Sequence, residues 1–145
     1  MSRGRISGDR MRYLLDTNVC VDYLNGRHPV LIERLQRARP SEVAVSMIAV
    51  AELRYGADKS GRAADNHHQL DTLLQDLAAL EFDLRSAAEY GRVRNELERA
   101  GALIGPNDML IAAQARAHDL ILLTDNVTEL ERVDGLRIEN WRREA

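Results

Sequence analysis

The chain has 145 residues, 45% of them apolar and 30% charged, and a net charge of -3. That length suits one domain with a real core, and the composition excludes both a disordered chain and a basic protein that coats nucleic acid through bulk charge. No apolar run approaches the roughly 20 residues needed to cross a bilayer, and the single cysteine, Cys20, excludes an intramolecular disulfide and a cysteine-based zinc cluster.

The segment MSRGRISGDR carries arginines with no apolar stretch behind them, unlike a secretory signal. Residues 1–10 read as a flexible extension, with Met11 a candidate internal start and the cytoplasm the expected compartment. Residues 12–15 read as a first strand. Residues 19–24 form a short helix closed by Asn25-Gly26, and 30–39 show a helical apolar pattern that Pro40-Ser41 breaks. A second strand is expected over 42–45, after which Ser46 caps the apolar helix SMIAVAELRYGA. Residues 63–77 are helical, with Leu70, Leu73, Leu74 and Leu77 on one face. A third strand is expected over 79–82, then a long polar helix over 84–100 stopped by Gly101. Gly105-Pro106 opens the helix NDMLIAAQARAH; 120–124, LILLT, is a buried strand; 133–141 ends in an edge strand, RIENW. Strands alternating with helices predict a single α/β domain over residues 11–145, its parallel sheet covered on both faces.

Four carboxylates fall in costly places. Asp16 ends the first strand, where it serves either a ligand or the cap of the next helix. Glu52 has Ile48, Ala49, Tyr55 and Gly56 on its own helical face, so it points inward and needs a partner, an arginine such as Arg54 or Arg92 or something from outside. Asp108 lies in the first turn of a helix that is apolar nearly all round, where the helix dipole favours an acid. Asp125 ends the strand LILLT as Asp16 ends the first, and with Asn126 it also reads as a plain turn. Taken together, these positions can converge on one edge of a parallel sheet. Four carboxylates gathered there stay ionised only with a cation among them. Oxygen-only ligation suits Mg²⁺ or Mn²⁺, and such a site serves phosphoryl chemistry by polarising a phosphate oxygen and activating water.

Other chemistries lack their residues. There is no Walker loop, GxGxxG or GxSxG. Cys20 sits in the apolar run VCV, which reads as packing. His28, His67, His68 and His118 lie in polar segments without zinc spacing, and His67-His68 reads as solvated helix surface.

The blocks LLDTN, SMIAVAELRYG, GPNDMLIAAQA and LLTDN…ELERVDGLRIENW, in that order, resemble the PIN-domain ribonucleases, specifically the VapC toxins of bacterial toxin–antitoxin pairs. The likeness runs from Met11 to Trp141. It implies an α/β/α sandwich with a central, mostly parallel sheet and an Mg²⁺- or Mn²⁺-dependent endoribonuclease that cuts tRNA or rRNA. Carried over, Asp16, Glu52, Asp108 and Asp125 are the catalytic acids, with Asp16, Asp108 and Asp125 on the metal. Thr17, Asn18, Ser46, Thr124 and Asn126 stand where the family holds its acids or water. Close relatives often carry Asn-Asn after the last threonine where this chain has Asp125-Asn126, so Glu129, one helical turn on, competes to complete the cluster. The resemblance also implies a VapB antitoxin as partner, a homodimer within that complex, and DNA contact only through the antitoxin. Two rivals share the acids: a metal-dependent nuclease or phosphatase acting on another substrate, and a PIN-fold binding module without catalysis. With 4% aromatic residues, base stacking is not the main recognition device, and target choice falls to RNA shape and arginine contacts.

Overall fold

Five strands of three or four residues pair in parallel throughout: β1 (Tyr13–Leu15), β2 (Val43–Ser46), β3 (Ala78–Leu80), β4 (Ile121–Leu123) and β5 (Arg137–Glu139). The structure, a computed structural model, describes residues 10–143; the extension expected over 1–10 lies, apart from Arg10, outside the described residues. Leu14 pairs with Ala44 on one side and Leu122 on the other, and all three are fully buried. Strands covered on both faces cannot alternate apolar with polar, which is why YLL, VAV and ILL read as unbroken apolar runs. Each fully buried leucine contributes about 1.5–3 kcal/mol relative to leaving it in water.

The strand order is β3-β2-β1-β4-β5. The chain therefore builds outward from β1 to one side, then returns to place β4 on its other side. The winding reverses between β1 and β4, and in open parallel sheets ligands bind beyond the carboxyl ends of the strands at such a point. The loops that carry Asp16 and Asp125 flank that point.

The helices are α1 (Thr17–Leu24), α2 (Pro29–Arg37), α3 (Met47–Lys59), α4 (Ala63–Asp76), α5 (Leu84–Arg99), α6 (Pro106–Ala117) and α7 (Val127–Leu130). α3 packs against α1 and α4, and α5 runs along α6. Local chemistry sets the boundaries. α1 starts two residues earlier than its apolar pattern suggests, because Asp16 caps it by accepting from the Val19 amide at 2.9 Å. β3 stops at Leu80, short of the expected 82, because the chain must leave the sheet for Asp83 to cap α5. Gly101 terminates the α5 region at φ +63°, a backbone conformation that suits glycine. A single 3-10 turn, Pro40–Glu42, replaces the simple break expected at Pro40-Ser41, and α7 has no counterpart among the expected elements. α6 is buried from Ile111 to Ala115, the polar Gln114 included. No helix among the described residues is long and apolar enough to cross a membrane.

Candidate active site

Asp16 follows β1 directly and is buried, 4% exposed. Besides capping α1, its carboxylate is hydrogen-bonded by the Thr124 side chain at the end of β4. Burial raises its pKa from 3.8 to about 6; the hydrogen bonds from Thr124 and Val19 oppose that rise, and the nearby charges of Asp125 and Asp108 add to it. Thr124 also shapes the loop that follows it. Its Oγ1 accepts from the Asn126 amide at 3.0 Å, which fixes the turn into α7.

Glu52 projects from α3, the helix capped by Ser46, whose Oγ accepts from the Ile48 amide at 3.1 Å. It does not pair with Arg54 or Arg92. Arg54 bonds Asp71 at 2.6 Å across to α4, and Arg92 bonds Glu89 at 2.7 Å within α5. Glu52 is instead held by neutral donors. Thr17 Oγ1 donates to its Oε1, and Asn107 Nδ2 donates to Oε2 at 2.7 Å. The two donors fix the orientation of the carboxylate without a cationic partner.

Asp108 is in the first turn of α6, where its pKa is raised by burial, then by the charge of Glu129, then by that of Glu52. The Asn126 side-chain Nδ2 is shared between Asp108 Oδ2 at 3.4 Å and Glu129 Oε1 at 3.3 Å. Glu129 thus stands with the four expected acids. Gly105 lies against Asp108: a Cβ there would come within 3.4 Å of Oδ2.

Asp125 differs from the rest. Its Oδ2 meets Arg142 Nη1 at 2.7 Å, while its Oδ1 is buried and finds no hydrogen-bond partner among the described residues. Arg142 also holds Asp22 of α1, donating from Nη2 at 2.6 Å and Nε at 3.1 Å. Of the expected supporting residues, Thr17, Thr124 and Asn126 touch the acids. Asn18 is exposed in the first turn of α1. Ser46, which follows the Val45 partner of Leu15, is buried and donates to Gln114 Oε1 instead of to an acid, so it caps a helix and satisfies a polar group in the core. Cys20 is fully buried, and burial pushes its thiol up strongly, which suits packing and not chemistry. His67 is not solvated surface: it is half-buried between Arg54 and Asp58, 2.7 Å from the latter.

Asn107, Asp22 and Arg142 escape a reading of the sequence. Asn107 carries a signal, since a carboxamide beside Asp108 in the first turn of an inward helix has few other uses. Arg142 lies 120 positions from Asp22, and nothing local marks it.

The arrangement gathers Asp16, Glu52, Asp108, Asp125 and Glu129 at one sheet edge, with Arg142 against Asp125. All donors are oxygens. Two of the acids, Asp16 and Asp108, carry raised pKa values from burial and like charge, which a cation would relieve. Among the described residues no group of three such side chains is already arranged to grip an ion, so side chains must turn inward to do so. The donor set nonetheless fits a hard divalent cation.

The PIN domain pattern matches residues 13–136. A ribonuclease VapC2 of Haemophilus influenzae is 41% identical over 131 residues, spanning 90% of this chain and 98% of that protein. A tRNA(fMet)-specific endonuclease VapC of Shigella flexneri is 34% identical over 131 residues, with the same two shares. A chain of the VapBC2 complex of Rickettsia felis, solved bound to a DNA fragment from their promoter, superposes with a TM-score of 0.85 at 38% identity, covering 90% of this chain and 99% of that one. On the match across its length, these identities and the shared fold, the chain belongs to the PIN-domain family, among the VapC ribonucleases.

Proposed function

We propose that the protein is a VapC-type toxin, a divalent-cation-dependent endoribonuclease that hydrolyses phosphodiester bonds in tRNA or rRNA. The observation that carries this reading is the gathering of carboxylates from separate elements at the sheet's reversal point, where Asn126 bridges Asp108 and Glu129 and where burial and neighbouring acids raise Asp16 and Asp108. Asp16 and Asp108 would hold Mg²⁺ or Mn²⁺, with the unpartnered Oδ1 of Asp125 turned to the same shell. Bound there, such a cation supplies positive charge to a phosphate oxygen and makes water a better nucleophile. Glu52, clamped by Thr17 and Asn107, orients the attacking water. Thr124 fixes Asp16, and Asn126 fixes Asp108 and Glu129.

The VapC relatives support an RNA substrate, and the VapBC complex supports a VapB-type antitoxin that neutralises the toxin and carries it to DNA. A homodimer within that complex and a cytoplasmic setting complete the reading. The test is a digest of end-labelled tRNA and rRNA by antitoxin-free protein, with Mg²⁺ or Mn²⁺ against EDTA, for wild type and Asp16→Asn. Discrete cation-dependent cuts lost in the variant are expected. Cuts that persist in EDTA or in Asp16→Asn would sink the scheme.

A further inference from the structure

Arg142 is built into its place. β5 ends at Glu139, and the Asn140 side chain accepts from the Arg142 amide at 3.0 Å. Trp141 between them is buried: its indole donates to Glu139 Oε1 at 2.8 Å, stands edge-on to Tyr13 with ring centres 4.9 Å apart, and lies under the Arg34 guanidinium at 4.6 Å. With Trp141 locked, Arg142 returns to the carboxyl edge of the sheet and puts its fork between two carboxylates from different elements. These are Asp22, 5% exposed on α1, and Asp125 after β4. His28 Nε2 stands 3.8 Å from the same Asp22 oxygen.

Two acids from separate elements facing one gap beside a metal site are what a second ion needs. In hydrolases with two ions, these stand about 4 Å apart and share carboxylates. Here the gap is filled by a permanent cation whose planar fork satisfies both acids. One oxygen of Asp125 is committed to Arg142, and the other is left for the site.

We propose that Arg142 is a built-in substitute for a second metal ion, so that the protein binds a single divalent cation and Asp22 and Arg142 are positioning residues that act through Asp125. This rests on the cation-dependent reading above. Arg142→Gln keeps most of the size and removes the charge, which frees Asp22 and Asp125 to take an ion of their own. Arg142→Lys keeps a cation in place. Asp22→Asn combined with Arg142→Gln removes half of the new site.

The experiment counts Mn²⁺ bound per chain by calorimetry and reads spin coupling between neighbouring ions by electron paramagnetic resonance. Circular dichroism verifies that each variant is folded. We expect one Mn²⁺ in wild type and in Arg142→Lys, a spin-coupled pair in Arg142→Gln, and one again in the double variant. Two ions in wild type, or one in a folded Arg142→Gln, would overturn the proposal. Should Arg142→Gln fail to fold, wild type and Arg142→Lys still decide, since two ions in either overturns it. Wild type that binds no Mn²⁺ would overturn the cation-dependent reading itself, a distinguishable result.

Discussion

Thr17 and Glu52 stand 35 positions apart and meet side chain to side chain, the hydroxyl of one donating to the carboxylate of the other. This contact joins the first turn of α1 to α3 and holds the Glu52 carboxylate with a neutral donor. Thr17→Val keeps the shape and removes the donor. We expect kcat to fall about 10–100-fold with KM nearly unchanged, the usual cost of losing a group that orients an active carboxylate. Steady-state cleavage of an oligonucleotide spanning a mapped cut site measures it. Thr17→Ser should recover most of the rate, and an unaltered kcat in Thr17→Val would remove Thr17 from the machinery.

Asp16 sets function against stability. Its carboxyl ionises near pH 6 when folded, against 3.8 as an ordinary aspartate. The folded state therefore binds the proton more tightly, and the metal-free protein loses stability as pH rises from about 4 to about 6, on the order of 3 kcal/mol in all. Above that window the loss is complete and constant. Asparagine caps a helix as well as aspartate, so Asp16→Asn in EDTA at pH 7–8 should melt several degrees above wild type while its nuclease activity disappears. Its melting temperature should also fall less than that of wild type between pH 4 and 6, the remainder coming from Asp108. A variant that melts lower than wild type at neutral pH would contradict this account.

Asp83 gives the opposite case, far from the chemistry. It caps α5 by accepting from the Ser86 amide at 2.9 Å and hydroxyl at 2.7 Å, and His118 lies 2.8 Å from its other oxygen. The Ser86 hydroxyl and amide, then His118, hold its carboxyl well below the usual carboxylate range. Its contribution is present above the ordinary value of 3.8 and fades as pH falls further. Asp83→Ala should lower the neutral-pH melting temperature modestly with cleavage unchanged, and the gap from wild type should narrow in acid.

Gln114 is the polar anchor inside the most buried helix. It accepts from the Ser46 hydroxyl and donates to the Leu80 carbonyl at 2.9 Å, tying α6 to β2 and β3. Gln114→Leu leaves both partners stranded and should cost about 1–3 kcal/mol in urea unfolding. Adding Ser46→Ala removes one stranded group, so the double variant should lose less than the sum of the two single losses.

The sequence is most legible where structure is local. The apolar runs at β1, β2 and β4 and the caps at Asp16 and Ser46 follow from rules that act within a few residues. So does the stop at Gly101. β3 is misframed at both ends because AALEF is apolar past the point where capping by Asp83 takes the chain out of the sheet. The four acids stand out because each is costly where it stands. The long-range partners do not: Asn107 meets Glu52 across 55 positions, Arg142 joins Asp125 to Asp22, which lies 120 positions from it, and Gln114 meets Ser46 across 68, and only the strand order brings them together. Glu52 shows the limit well. The expected inward face is only half right, since Glu52 is half-buried and Tyr55 on the same face is 65% exposed, and the two nearby arginines pair elsewhere. Neutral donors from α1 and α6 take the place instead.

The burial of Trp141 has a practical consequence. It is the chain's single tryptophan, and it immediately precedes the arginine that bridges Asp22 and Asp125. Its light emission therefore comes from one known place, shielded from water and stacked beneath a guanidinium. An event that frees the last turn of the described chain and exposes that ring shifts its colour to the red. The molecule carries its own optical gauge of whether its edge is closed, with no label attached.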